Sequence, residues 1–232
     1  MKRYFYKYIV EFFVIVTGVL ISFYVEKNKA ADYRDELKNH SLNRLTINIQ
    51  EDISDSKINY RIHSRASNAC EKLINDYDRL YHSRKDSIGL LLRIASKSWS
   101  IFIDNPEEYL TLRNSGLIEL VDHDSLIILL QKKYSYHQLY KQSERHIYAN
   151  NAELVKVFND KTNGRTLIND EIGSRSYSGY GALLDDQTLT SSDFNLIRRR
   201  LELSKSYAAS ILEGIQRDSL IVVQLKRLIT VD

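Results

Sequence analysis

Residues 42–80 read L-N-R-L-T-I-N-I-Q-E-D-I-S-D-S-K-I-N-Y-R-I-H-S-R-A-S-N-A-C-E-K-L-I-N-D-Y-D-R-L, without a glycine or proline. Leu42, Leu45, Ile49, Ile53, Ile58, Ile62, Ala66, Ala69, Leu73, Tyr77 and Leu80 recur mostly at steps of three and four. With 3.6 residues per turn, that spacing lines one side of an α-helix of about forty residues. The stripe is narrow and interrupted by polar residues, as in a coiled-coil seam or a helix lying along a bundle. It sets the expected class, all-α, built from a few long helices.

Upstream of this stripe, Ile9 to Val25 read I-V-E-F-F-V-I-V-T-G-V-L-I-S-F-Y-V, with Glu11 as the one charge. At about 1.5 Å per residue the segment covers most of the roughly 30 Å hydrocarbon core of a bilayer. Tyr4, Phe5, Tyr6 and Tyr8 before it, and Phe23 and Tyr24 at its end, sit where interfacial aromatic belts belong. A cleaved signal peptide has a similar basic start and apolar centre, but its peptidase needs small residues at two positions before the cut. Asn28-Lys29-Ala30 offers only one. The expectation is a retained transmembrane helix over 9–25, continuing into the long helix. Lys2, Arg3 and Lys7 favour a cytoplasmic tail over 1–8, which places 26–232 outside the cytoplasm as one helical domain.

Downstream, Ile88 to Ile103 is too short and too charged to span a bilayer and is expected as a core helix. Asn105-Pro106-Glu107-Glu108 has a capping Asn, a Pro at the first helical position and acids in the first turn. That helix should stop at Gly116 in a left-handed conformation. A further helix is expected from Asp122 or Asp124 to about Phe158, and a last one after the capping sequence Ser191-Ser192-Asp193. Between them, residues 159–192 lose the helical period and hold Gly164, Gly173, Gly179 and Gly181. This is the expected irregular insert, with Arg165 to Ile168 as a candidate short strand after the Asn163-Gly164 turn.

Composition narrows the function. Gly 8 and Pro 1 among 232 residues argue against sandwiches, barrels and disordered tails. Lys+Arg 33 against Asp+Glu 30 is too balanced to argue for a nucleic-acid partner. One cysteine excludes an internal disulfide and a cysteine zinc knuckle. Among the 6 histidines no pair is set at i, i+4 around a glutamate, and His137 and His146 are expected on nearly opposite helix faces. No metal site, cofactor or catalytic motif is expected, and the chain does not read as an enzyme.

Val10-Glu11-Phe12-Phe13-Val14-Ile15-Val16-Thr17-Gly18-Val19-Leu20-Ile21-Ser22 resembles the anchor of a large bacterial family of uncharacterised single-pass membrane proteins. Members typically read G-E-I-x-L-V-V-I-G-I-L-I-A-L, and Glu11, Gly18, Leu20 and Ile21 fall on matching positions. Tyr109 to Asp124 resembles the family's E-E-L-K-N-S-G-K-L-x-L-I segment, and Asp193-Phe194-Asn195-Leu196 is a weaker third match. Val10 stands where members have Gly, and Glu26-Lys27-Asn28-Lys29 replaces their tryptophan motif. The resemblance implies an inner-membrane anchor with a periplasmic helical domain, and no activity.

Three anchor residues stand out as candidates. A carboxylate in a membrane segment is costly unless paired, hydrated or neutral, so Glu11 is a candidate partner contact. Gly18 and Ser22 form a small-xxx-small pair that lets membrane helices approach closely. The functional expectation is a membrane-anchored scaffold or accessory subunit, contacting a protein partner or a second copy. The alternative is a ligand-sensing helical domain that signals through a partner membrane protein.

Overall fold

The computed structural model describes residues 2–164, 166–168, 175–177 and 181–231, with side chains for 11–164 and 181–229. Its elements are α1 (Lys2–Ser83), α2 (Lys85–Lys97), α3 (Glu107–Asn114), a 3-10 turn (Leu117–Leu120), α4 (Asp124–Lys161), β1 (Thr166–Ile168), β2 (Arg175–Tyr177) and α5 (Ser191–Val231). The all-α class holds. The strand expected after Asn163-Gly164 pairs antiparallel with β2, Thr166 opposite Tyr177, as a small hairpin in the insert.

Near Leu42, Leu45 and Ile49 of α1 lie Leu126 and Leu130 of α4 and Ile221 and Leu225 of α5. At the far end Cys70, Leu73 and Leu80 meet Leu154, Phe158 and Ile197. So α4 runs parallel to α1, and α5 antiparallel to both. The return from α1 to α4 is made by α2, an extended strap over 98–106, and α3. The architecture is an up-down-up-down bundle whose second rail is half helix and half extended chain.

Burial follows a heptad on all three long helices. On α1 the innermost line is Leu42, Leu45, Ile49, Asp52, Ser56, Asn59, His63, Ala66, Cys70 and Leu73, alternating steps of three and four, with buried Ser41, Thr46, Ser67 and Ala69 flanking it. On α4 the same alternation takes in Leu126, Leu130, Lys133, His137 and Tyr140, and on α5 Ile197, Arg200, Ser204, Tyr207 and Ile211. A sustained 3.5-residue period is the mark of coiled-coil packing. It also corrects the expected stripe. Ile58 is 45% exposed, while Asp52, Ser56, Asn59 and His63 hold the inward positions. Apolar residues alone therefore trace the wrong line through the middle of α1.

The strap corrects a second expectation. The core helix ends at Lys97, not at Ile103. From there the side chains alternate: Phe102 points in and is buried, while Ile101 and Ile103 are exposed, the two-residue period of extended chain. The fully buried Arg200 holds this helix end. Its Nε donates to Ala95 O at 3.0 Å and its Nη2 to Ser98 O. A cation at the C-terminal carbonyls of α2 meets the negative end of the helix dipole. At α3 the expected Asn105 cap makes no side-chain bond; Pro106 is the flanking residue, and Leu110 N donates to its carbonyl. Gly116 is left-handed as expected, with φ 72°. The start of α5 is a reciprocal capping box, Thr190 with Asp193.

Residues 11–37 of α1 are exposed, Val16 partly so, and among the described residues nothing in the bundle covers them. Phe12, Phe13, Val14, Ile15, Val19, Leu20, Ile21 and Phe23 are all exposed, on every side of the helix. Among the described residues no helix is long and apolar enough to cross a membrane. The span expected from the sequence starts at Ile9, whose side chain lies outside the described residues.

The far end of the bundle is closed by backbone contact. A Cβ on Gly89 of α2 would stand 1.6 Å from Gly181 O, so only hydrogen fits there. We expect Gly89→Ala to cost about 1–3 kcal/mol of stability through overpacking. Gly18→Ala, with nothing within 4 Å of the added carbon, should leave the bundle's melting temperature unchanged. Equal melting temperatures for wild type and Gly89→Ala would contradict this packing.

Candidate functional site

The polar residues on the heptads of α1, α4 and α5 meet in one layer. Lys133 Nζ lies 2.8 Å from Asp52 Oδ2 and 2.8 Å from Asp218 Oδ2, and the three side chains are 0%, 3% and 4% exposed. Each comes from a different long helix. Arg217 Nε donates to the other Asp218 oxygen at 3.2 Å, so the layer holds two cations and two carboxylates. Burial pushes the Asp52 carboxyl up from its ordinary range, against the pull of Lys133.

The strap is clamped beside this layer by side chains. Asn105 N–H donates to Asp52 Oδ1 at 3.2 Å, Phe102 N–H to Glu144 Oε1 at 2.5 Å, and the His63 ring lies 3.0 Å from Ser100 Oγ. Asp104 receives Lys141 Nζ and His137 Nδ1, both at 2.9 Å. Extended chain in a helical bundle lacks a neighbouring strand, and these groups replace the missing ladder. Burial would raise the Asp104 carboxyl, but the hydrogen bonds from Lys141 and His137 win and hold it below its ordinary value. Burial, helped by Lys133, lowers His137 to about 4 despite Asp104. Burial and Arg200 lower His63 to about 3.

A cleft of about 550 Å³ lies between the strap, α3 and α4. Tyr109 and Tyr134 stack along it, centroids 4.4 Å apart at 15°. Arg113 and Lys141 line it with Asp104 and His137. Among the described residues no group of three or more metal-binding side chains gathers here or elsewhere. The arrangement offers hydrogen bonds and one cation to a small molecule.

The residues singled out from the sequence lie elsewhere. Glu11 is exposed near the start of α1. Gly18 and Ser22 share one face of the helix, where the Ser22 hydroxyl donates to Gly18 O at 2.9 Å. With Val14, Ile15 and Phe23 they line a shallow groove. His137 and His146 do part, one buried and one exposed. Sequence reading missed Asp52, Lys133, Asp218 and His137 as a group. The signal was present: counted strictly by heptads, all four fall on core positions. Comparison with family models, characterised proteins and solved structures finds no match to this chain.

Two predictions follow from the buried charges. Lys133→Met removes the cation between the two carboxylates, leaves Asp52 without one, and should cost about 3–5 kcal/mol, read as a fall in melting temperature. Adding Asp52→Asn and Asp218→Asn should recover part of the loss, since the uncompensated charges are gone. A triple variant no more stable than Lys133→Met would refute the electrostatic account.

The second concerns acid. His63 and His137 have folded values below the ordinary 6.5, so the unfolded chain binds protons that the folded chain refuses. Their contribution is complete above about pH 6.5 and is lost as pH falls toward 4 and 3. Asp52 and Glu144, pushed up by burial, act with the opposite sign in the carboxylate range. We expect stability to fall below pH 6.5 by up to about 1.4 kcal/mol per pH unit per histidine. His63→Gln with His137→Gln should flatten the slope of melting temperature between pH 6.5 and 5. An unchanged slope would show that these rings do not carry it.

Proposed function

We propose that the protein is a single-pass membrane-anchored helical scaffold or accessory subunit, with residues 9–25 in the bilayer. The observation that carries this reading is the continuous apolar surface of α1 from Phe12 to Val25, exposed on every side and joined without a break to the bundle. A helix that is apolar all round belongs inside a protein or inside lipid. Among the described residues no part of this bundle covers it. Residues 26–37, exposed throughout, form a neck of about 18 Å at 1.5 Å per residue.

The basic flank Lys2, Arg3 and Lys7 supports a cytoplasmic N-terminus, and the resemblance to the bacterial anchor family supports an inner-membrane location with a periplasmic bundle. Glu11 and the Gly18/Ser22 face are assigned to contact with a partner's membrane helix or a second copy.

Fractionation and topology test it together. The full chain should sediment with membranes, resist alkaline carbonate, and need detergent for release. A reporter active only outside the cytoplasm should work when fused after Asp232. Extraction by carbonate would remove the anchor from the reading, and activity restricted to a cytoplasmic reporter would reverse the orientation.

A further inference from the structure

The cleft between the strap, α3 and α4 is walled by the Tyr109–Tyr134 stack, and its volume falls within the range of small-ligand pockets. Beneath its floor two polar atoms of lining residues are unsatisfied. His137 Nε2 and the Tyr134 hydroxyl are buried and have no hydrogen-bond partner among the described residues, and both residues line the cleft. Buried polar atoms in folded proteins are almost always partnered.

The chemistry of the missing partner can be derived. Asp104, ionised and bonded to Lys141 and His137, can only accept, so the His137 proton sits on Nδ1. His137 Nε2 is then a bare acceptor. The Tyr134 phenol, whose ionisation burial opposes, keeps its O–H to donate. A group that both donates and accepts would satisfy the two together, and a hydroxyl does both. An ammonium would offer Tyr134 no lone pair and would meet the positive charge of Lys141. At the rim, exposed Arg113 lies over the Tyr109 ring at 5.9 Å and has no carboxylate within ion-pair distance among the described residues. Lys141 is already engaged by Asp104. Arg113 therefore supplies the charge left over for an anion.

We propose that this cleft binds a small hydroxycarboxylate, its carboxylate on Arg113 and its hydroxyl donating to His137 Nε2 while accepting from the Tyr134 hydroxyl. Tyr134, only half-buried, is the side chain that turns to admit the ligand. The site lies wholly within the bundle, so it stands or falls independently of the membrane reading.

Calorimetric titration of the full chain in detergent micelles tests it with two matched pairs: malate against succinate, and citrate against tricarballylate. Each pair differs by one hydroxyl. We expect at least one hydroxy acid to bind about tenfold or more tightly than its deoxy partner, the usual consequence of a site built around a hydroxyl. Arg113→Gln should weaken both members of that pair. Tyr134→Phe should erase the preference while changing the melting temperature little. No binding by any of the four at about 10 mM, a weaker affinity than a useful site would show, means that the floor is completed by water, and the proposal fails. Equal affinity within each pair, or unchanged binding to Arg113→Gln, overturns it as well.

Discussion

One buried ammonium sets the geometry of this bundle. Lys133 sits between carboxylates from α1 and α5, so a slip of any one of the three long helices by a heptad separates charges that have no access to water. Apolar layers tolerate such slips, because a leucine can exchange one neighbouring leucine for another. A desolvated cation between two anions cannot, since each lost partner leaves an uncompensated charge costing several kcal/mol. This is the helical-bundle counterpart of the single polar core residue that fixes register in coiled coils. The layer adds little net stability over an apolar one and excludes the alternatives.

Around that layer the strap finds its place. Because its neighbours are helices, its backbone N–H groups have no strand to pair with, and Asp52, Asp55 and Glu144 accept them instead. The carboxylates thus serve two masters: Asp52 pairs with Lys133 and also holds Asn105. Arg200, at the other end of the strap, has only carbonyls and a hydroxyl for partners. The second rail of the bundle therefore depends on polar groups in the interior, and its cohesion depends on pH more than that of an apolar rail would.

The parts legible from sequence were those where burial and hydrophobicity coincide. The apolar layers near Leu42 and Leu73 of α1, the span of α4 and the left-handed Gly116 followed from residue type and spacing, while the cap of α5 is Thr190 with Asp193, just ahead of the expected Ser191-Ser192-Asp193. The middle of α1 did not, because Ile53, Ile58 and Ile62 offer a more apolar line than Asp52, Ser56, Asn59 and His63, and Lys133 and Asp218, which make the polar line favourable, lie 81 and 166 residues beyond Asp52. The strap failed for a related reason. An apolar run from Ile88 to Ile103 reads as one helix unless the alternation of Trp99, Ile101 and Ile103 with Ser100 and Phe102 is given weight. The site residues that stood out, Glu11, Gly18 and Ser22, were conspicuous by type; those that built the interior layer were charged residues whose ordinary place is the surface.

The unbroken path of α1 has a consequence for azimuth. A helix without proline or kink carries its angular phase intact, advancing about 100° per residue. Counted from the Gly18–Ser22 face, the core-facing residues Leu42, Leu45 and Ile49 lie roughly 180–240° around the axis, on the far side. A neighbour that grips α1 at Gly18 therefore looks up at the back of that helix, with α4 and α5 turned away from it. Rotating the shaft by one residue's worth would sweep a different side of the bundle into view, so the direction in which the domain faces is written into the length of the neck.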